Sequence, residues 1–128
     1  MAMALIMGLI TANITLKPLI ARIRPYDLLE GIDLLVERLH DFSFPSGHTI
    51  ASFEGATAIA LTCKKRDGIP ALVLAALIAF SRLYLFVHYP TDVIVGCVLG
   101  IAFAFLSKFI YEKAEQKIKE KKSLSKAD

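Results

Sequence analysis

Cysteine is scarce in this sequence, which has only Cys63 and Cys97 among its 128 residues. Both cysteines lie in or at the end of apolar segments, and neither has the spacing of metal ligands. We therefore expect the two thiols to pack in the interior without forming a disulfide. Internal repeats and low-complexity tracts are also lacking, and the length suits one domain.

Charged residues are missing from long stretches of the chain, which is 55% hydrophobic. Four runs have at most one charge each: Met1–Leu16, Thr49–Cys63, Ile69–Val87 and Val93–Ser107. Spanning a bilayer takes about 20 helical residues, with about 17 tolerated, and the first two runs barely reach that length. The sequence predicts an all-α integral membrane bundle of about four transmembrane helices. They would cover about residues 1–17, 48–63, 69–87 and 91–111.

Basic residues cluster at two places although the net charge is only +3. One cluster is Lys64–Arg66, and the other is the lysine-rich segment 112–128. The positive-inside rule places both in the cytoplasm, so residues 112–128 are predicted to form a basic cytoplasmic tail. Segments 17–48 and 82–92 then share the outer side of the membrane. Acidic residues interleaved in the tail argue against nucleic-acid binding.

Residues 26–40 have a different pattern. Apolar residues recur at helical spacing from Leu28 to Leu39, while charged residues occupy the other face. The pattern predicts an amphipathic interfacial helix over about residues 26–40, weakened by Gly31. A short helix that covers the core of the domain is an equally good interpretation.

Three groups of polar residues lie at the ends of the apolar runs, on the predicted outer side. The first group is Lys17 and Arg24, which two helical turns would place on one face. The arginine guanidinium can give two parallel hydrogen bonds to a phosphate and stays charged. Taken alone, the two cations would also suit ordinary anchors at the membrane interface.

The second group, Ser46-Gly47-His48, opens the second apolar run. Gly47 allows the backbone to approach a ligand closely, and the first amides of a helix bind anions. Ser46 can cap the helix or donate to a phosphate oxygen, and His48 can protonate a departing oxygen. A helix cap beside a surface histidine is the alternative interpretation.

The third group is Arg82, His88 and Asp92. Arg82 is flanked by apolar residues, where a charge is costly unless it reaches a cavity or the interface. Pro90 interrupts the helix, so His88 is expected just before a new helix that contains Asp92. The carboxylate would fix the imidazole tautomer and leave the other ring nitrogen free to attack phosphorus. A local hydrogen bond without a catalytic role is the alternative, but the joint occurrence of all three groups favours a site for a lipid phosphate.

The three groups resemble the signature motifs of the type 2 phosphatidic acid phosphatase superfamily. The matching residues are Lys17-x6-Arg24-Pro25, Pro45-Ser46-Gly47-His48 and Ser81-Arg82-x5-His88-x3-Asp92. The resemblance implies a metal-independent phosphatase without a cofactor, working through a phosphohistidine intermediate. It makes His88 the nucleophile, Asp92 its orienting group and His48 the general acid. It implies phosphate binding by Lys17, Arg24, Ser46, Gly47 and Arg82.

The implied substrate is a phosphomonoester or diphosphate of a lipid in a bacterial plasma membrane. Undecaprenyl diphosphate, phosphatidylglycerol phosphate and phosphatidic acid are the candidates, and the site is expected to open to the extracytoplasmic side. The lipid and the bilayer are the partners implied, while the oligomeric state stays open. Two alternatives remain. Vanadate haloperoxidases share the constellation, but they are soluble, and an inactive or truncated lipid-phosphate-binding membrane protein is the other.

Members of this superfamily that lie in membranes usually have six spanning helices, with the first motif after the third. Only four are predicted here, so either two N-terminal helices of the family core are missing or the chain is a minimal variant. Glu54 lies two turns into the second predicted helix, outside the motifs. A structural role is expected for it more than a catalytic one.

Overall fold

The computed structural model describes residues 2–29 and 34–124, and all regular elements within these ranges are helical. The predicted all-α fold class is confirmed. A π-helical stretch joins the first two α-helices, and one turn of 3₁₀-helix follows them. In chain order the elements are α1 (Ala2–Leu9), the π-helix (Ile10–Leu16), α2 (Lys17–Ile20), the 3₁₀-helix (Pro25–Leu28), α3 (Gly47–Thr62), α4 (Lys65–Tyr84) and α5 (Pro90–Leu124).

Three helical segments of the described chain are long and apolar enough to cross a membrane: Ala2–Leu28, Lys65–Tyr84 and Pro90–Leu124. The predicted fourth span corresponds to α3, which has 16 residues. A helix of that length is about 24 Å long, shorter than the roughly 30 Å hydrocarbon core of a bilayer. The count of four spanning helices therefore stays a prediction.

Helix α3 lies at the centre of the bundle, where it packs against α1, α4 and α5. Small residues allow this close packing. A Cβ added at Gly100 of α5 would lie 2.6 Å from the carbonyl oxygen of Ile50 on α3. Large apolar side chains such as Leu77 and Phe80 are instead exposed on the outside of the bundle. This arrangement is typical of membrane bundles, in which small residues bring backbones together and lipid covers the outer faces.

The amphipathic helix predicted over residues 26–40 is wrong for the described part of that segment. Only Pro25–Leu28 are helical, residues 34–40 are irregular, and residues 30–33 lie outside the described chain. The Tyr26 hydroxyl bonds to both the amide and the carbonyl of Leu39, at 3.0 Å each. A continuous helix would hold those two residues about 20 Å apart. The tertiary contact therefore overrides the amphipathic pattern.

The cysteines and the basic tail agree only in part with the predictions. Both cysteines are free, as expected, but Cys63 lies exposed at the end of α3, so the prediction of interior packing is wrong for it. Helix α5 continues without a break from Pro90 to Leu124, through the predicted start of the tail. The boundary at residues 111–112 and the cytoplasmic position of the tail stay predictions.

Candidate active site

One cavity of about 480 Å³ receives side chains from all three predicted polar groups. The start of α3 lines this cavity. The amino ends of α3 and α5 meet there, because the Ser46 amide donates to the Asp92 carbonyl oxygen at 3.2 Å. Five of the eight predicted site residues line this cavity: Lys17, Arg24, Gly47, His48 and His88.

Lys17 and Arg24 meet in this cavity, but they do not share a helical face. Ala21 adopts a left-handed backbone conformation, with φ of 46°, and ends α2 four residues after Lys17. The turn brings Arg24 back toward the bundle. Both cations are buried, with Lys17 7% and Arg24 2% exposed. Both side chains line the cavity and bond to the same carboxylate, an arrangement that suits the binding of an anion.

The Asp41 carboxylate lies between these two cations. One of its oxygens accepts a hydrogen bond from Lys17 Nζ, and the other accepts one from Arg24 Nη2 at 2.5 Å. Arg24 Nε also donates to the Asp41 carbonyl oxygen at 2.9 Å. The Asp41 side chain is 49% exposed and lines the cavity. Its carboxylate therefore already occupies the two cations predicted to bind phosphate.

Burial and ion pairing act against each other on Asp41. Partial burial raises the pKa of its carboxyl, but hydrogen bonds and charges from Lys17 and Arg24 outweigh burial. The pKa of Asp41 is therefore below its ordinary value of 3.8. The carboxylate is charged at neutral pH and competes directly with an incoming anion.

His88 is buried just before α5, as predicted, with Asp92 behind it. Its Nε2 lies 3.4 Å from Arg24 Nη1 on the cavity side. Its Nδ1 lies 3.5 Å from Asp92 Oδ2, beyond the ordinary hydrogen-bond range, and has no hydrogen-bond partner within the described chain. A guanidinium can only donate, so the proton fits on Nδ1 and the Nε2 lone pair faces Arg24, one of the cations predicted to bind phosphate.

Asp92 is completely buried and held by several donors. Arg22 Nη1 donates to Asp92 Oδ1 at 2.8 Å, and the Tyr89 amide donates to Oδ2 at 2.9 Å. The Ser43 hydroxyl also donates to Oδ2. Arg22 additionally stacks on the Tyr89 ring, 3.9 Å from its centroid. These contacts hold the carboxylate in place behind the imidazole of His88.

The start of α3 supplies His48 and Gly47 to the cavity wall. Ser46 is fully buried, but its hydroxyl does not cap the helix. Instead, Ser46 Oγ accepts a hydrogen bond from Thr49 Oγ1 at 2.9 Å. Ser46 is not among the residues that line the cavity, so its predicted contact with phosphate stays a prediction.

Arg82 lies in the last turn of α4 and is not part of the cavity wall. Its Nε and Nη2 both donate to the hydroxyl of Ser81, each at 3.2 Å. The side chain is half-buried. Its predicted role in phosphate binding stays a prediction.

Three residues of this site were not predicted from the sequence: Asp41, Arg22 and Ser43. Asp41 pairs across 24 and 17 residues of sequence, and Arg22 pairs across 70. The sequence points to these three residues only through their positions close to the motifs. Arg22 lies two residues before Arg24, and Asp41 and Ser43 fall in the loop directly before the second motif.

A family model described as the PAP2 superfamily matches residues 1–116. An undecaprenyl-diphosphatase of Sulfolobus acidocaldarius is 37% identical over 108 residues, which cover 80% of this chain and 52% of that relative. The crystal structure of Aquifex aeolicus LpxE superposes with a TM-score of 0.75 at 36% identity, covering 83% of this chain and 63% of that one.

A second solved structure is a transmembrane PAP2 type phosphatidylglycerolphosphate phosphatase from Bacillus subtilis. It has a TM-score of 0.74 and 34% identity, with 88% of this chain and 57% of that one covered. The chain therefore spans about half the length of the curated relatives that it matches. The match over nearly the whole chain confirms the resemblance seen in the motifs, and the protein is a member of the PAP2 superfamily.

Proposed function

We propose that this protein is a membrane lipid phosphatase that hydrolyses a phosphomonoester or diphosphate through a phosphohistidine intermediate. The observation that carries this proposal is the meeting of two buried cations and two imidazoles around one cavity. Phosphoryl transfer depends mainly on positioning and on charge stabilisation, which this set of side chains supplies. Family membership supports the same reaction class.

Phosphate binding requires the substrate to replace the Asp41 carboxylate. Lys17 and Arg24 then neutralise the oxygens of the phosphoryl group, and the α3 amides beginning at Gly47 complete the anion site. We propose that Arg82 and Ser46 join this site when phosphate binds. The exchange of one anion for another keeps the two buried cations paired throughout.

The chemical step begins at His88. Its Nε2 lone pair attacks phosphorus, a P–N bond forms, and the bond from phosphorus to the lipid oxygen breaks. His48 donates its proton to the departing oxygen, while Asp92 stabilises the positive charge that develops on His88. His48 then removes a proton from water, the water oxygen attacks phosphorus, and the P–N bond breaks to release phosphate.

The substrate class follows from the apolar bundle around the site. Lipid phosphates and lipid diphosphates place a phosphoryl group at the membrane surface and a hydrocarbon chain below it. Undecaprenyl diphosphate, phosphatidylglycerol phosphate and phosphatidic acid are the candidates, and two of these classes occur in the names of the relatives. The basic segments 64–66 and 112–124 support a site on the extracytoplasmic face of a plasma membrane.

Phosphate release from a panel of these lipids, measured with the purified protein in detergent, tests the proposal. His88→Ala should abolish turnover, and His48→Ala should slow it by about 10²–10⁴-fold because the general acid is lost. His40→Ala is the matched control, since His40 is exposed and does not line the cavity. Vanadate should inhibit phosphate release by the wild-type protein. A chelator of divalent metals should leave this release unchanged. Full activity of His88→Ala would contradict the mechanism.

A protein that only binds lipid phosphates would give a different result. It would bind the panel lipids without releasing phosphate, and His88→Ala would leave that binding intact. A strict requirement for added metal would also contradict the proposed reaction.

A further inference from the structure

Glu54 is a buried carboxyl that the proposed reaction does not use. It lies on α3, is 1% exposed, and lines the same cavity as the two histidines. Its Oε1 has no hydrogen-bond partner within the described chain. A buried polar atom without a partner is rare in folded proteins, and a carboxyl that lines a ligand cavity is a candidate contact for the ligand.

The carboxyl lies deeper in the bundle than the phosphate-binding groups. Six residues separate His48 from Glu54 along α3, a rise of about 9 Å. Between them, Ile50 and Ala51 line the same wall, and Leu9 and Ala12 line the facing wall. The cavity lining thus combines the charged groups Lys17, Arg24 and Asp41 with mostly apolar walls, the polar Asn13 and the carboxyl of Glu54.

Gly8 makes room for this carboxyl on the facing helix. A Cβ at Gly8 would lie 2.3 Å from Glu54 Oε1 and 2.8 Å from Oε2. Any larger residue at position 8 would therefore displace the Glu54 side chain. Oε1 is enclosed between the two helices without a hydrogen bond, and the Glu54 side chain lines the cavity, so a polar group of a ligand that reaches the carboxyl would give it a partner.

We propose that Glu54, in its protonated form, determines substrate specificity by donating a hydrogen bond to a polar group of the lipid, about 9 Å along α3 from His48. This inference rests on the proposed function of the cavity. Glycerolipid phosphates carry ester and hydroxyl groups at such a depth, whereas a polyprenyl diphosphate has only hydrocarbon there. A polyprenyl chain would leave the Glu54 carboxyl without a partner, and sites with unpaired polar groups discriminate strongly against such ligands. Glycerolipid phosphates are therefore the preferred class.

The test compares kcat/KM for dioctanoyl phosphatidic acid and for farnesyl diphosphate in detergent micelles. Glu54→Met keeps the length of the side chain but removes its polar atoms. It should lower kcat/KM for phosphatidic acid by at least about 10-fold and leave the value for farnesyl diphosphate unchanged or raised. Glu54→Gln retains hydrogen bonding and should keep the wild-type ratio within about 3-fold.

Thr57→Val is the matched control. Thr57 is buried on the same helix and its Oγ1 also has no partner within the described chain, but it does not line the cavity. Its substitution should leave the substrate ratio unchanged. If Glu54→Met does not fold, Gly8→Ala offers a second route, because the added methyl displaces the carboxyl without changing α3. It should shift the ratio in the same direction.

An unchanged substrate ratio in folded Glu54→Met or Gly8→Ala would overturn this inference. An equal fall for both substrates would also overturn it, because it would show a structural role for Glu54. A wild-type protein that releases no phosphate from either lipid would instead contradict the proposed function itself.

Discussion

At the scale of a single residue, Asp41 is expected to control access to the proposed phosphate site. Its carboxylate bonds to both Lys17 and Arg24, which are the cations proposed to bind phosphate. Half of its surface is exposed, so it can leave the site with little loss of packing. In the proposed mechanism, phosphate and Asp41 are alternative occupants of one anion site, so the free energy of binding phosphate would include the cost of breaking two ion pairs.

Asp41→Asn should tighten the binding of inorganic phosphate by about 3–10-fold. The amide competes less well than the carboxylate for Lys17 and Arg24, because exposed and half-exposed ion pairs contribute about 1 kcal/mol. Competitive inhibition of lipid hydrolysis by phosphate measures the effect. Asp27→Asn is the control, since Asp27 forms an exposed pair with Arg38 outside the cavity. Weaker phosphate binding by Asp41→Asn would show that Asp41 positions the cations instead.

The effect of Asp41→Asn on inhibition by phosphate should depend on pH. The pKa of Asp41 is lowered below 3.8, because the pairing with Lys17 and Arg24 outweighs burial. Because the folded-state pKa is lowered, the ion pairs of Asp41 persist at every pH above that pKa and weaken only as pH falls through it. The ratio of wild-type to Asp41→Asn inhibition constants should be constant from about pH 5 to 8. It should approach one only when pH falls below the lowered folded-state pKa of Asp41, which is under 3.8. A ratio that changes near neutral pH would assign the titration to another group.

At the scale of elements, the motif residues could be predicted because they lie at helix ends that the topology brings to one side. Lys17, Gly47, His48 and His88 meet as expected. The contacts of Asp41 and Arg22 could not be predicted, because they depend on the path of an irregular loop. The amphipathic pattern after Tyr26 was misleading for the same reason. It records which residues are apolar, whereas the bonds from Tyr26 to Leu39 determine where the chain goes.

The contact between α3 and α5 sets the positions of His48 and Asp92, and the approach is closer at Gly100 than at Gly96. A Cβ at Gly100 would lie 2.6 Å from the Ile50 carbonyl oxygen and 2.9 Å from Phe53 Cβ. Gly100→Ala should therefore lower the free energy of unfolding by about 1–3 kcal/mol, as overpacking does. Thermal unfolding in detergent measures this loss.

Gly55 provides the control for that substitution. It lies on α3, and a Cβ there would meet nothing within 4 Å. Gly55→Ala should leave the melting temperature unchanged or raise it, because alanine favours helix by about 1 kcal/mol over glycine. Equal effects of the two alanines would show that the close approach at Gly100 does not limit packing.

At the scale of the whole molecule, helix α3 leads the chain away from the candidate active site to the basic residues 64–66. The amino ends of α3 and α5 meet at the cavity, and α3 carries the chain about 24 Å away to Cys63 and the basic residues after it. The site and Cys63 are therefore at opposite ends of the bundle. The positive-inside rule then predicts which end faces the cytoplasm.

Single-cysteine variants test this orientation in intact cells. Cys97→Ala leaves Cys63 as the one thiol, and it is exposed at the end of α3. Cys63→Ala with Cys97→Ala and His40→Cys places the one thiol in the exposed loop beside the cavity instead. A membrane-impermeant maleimide should label the His40→Cys variant in intact cells and should label Cys63 only after permeabilisation. The reverse pattern would place the candidate active site in the cytoplasm, where a lipid phosphate of the inner leaflet would have to be its substrate.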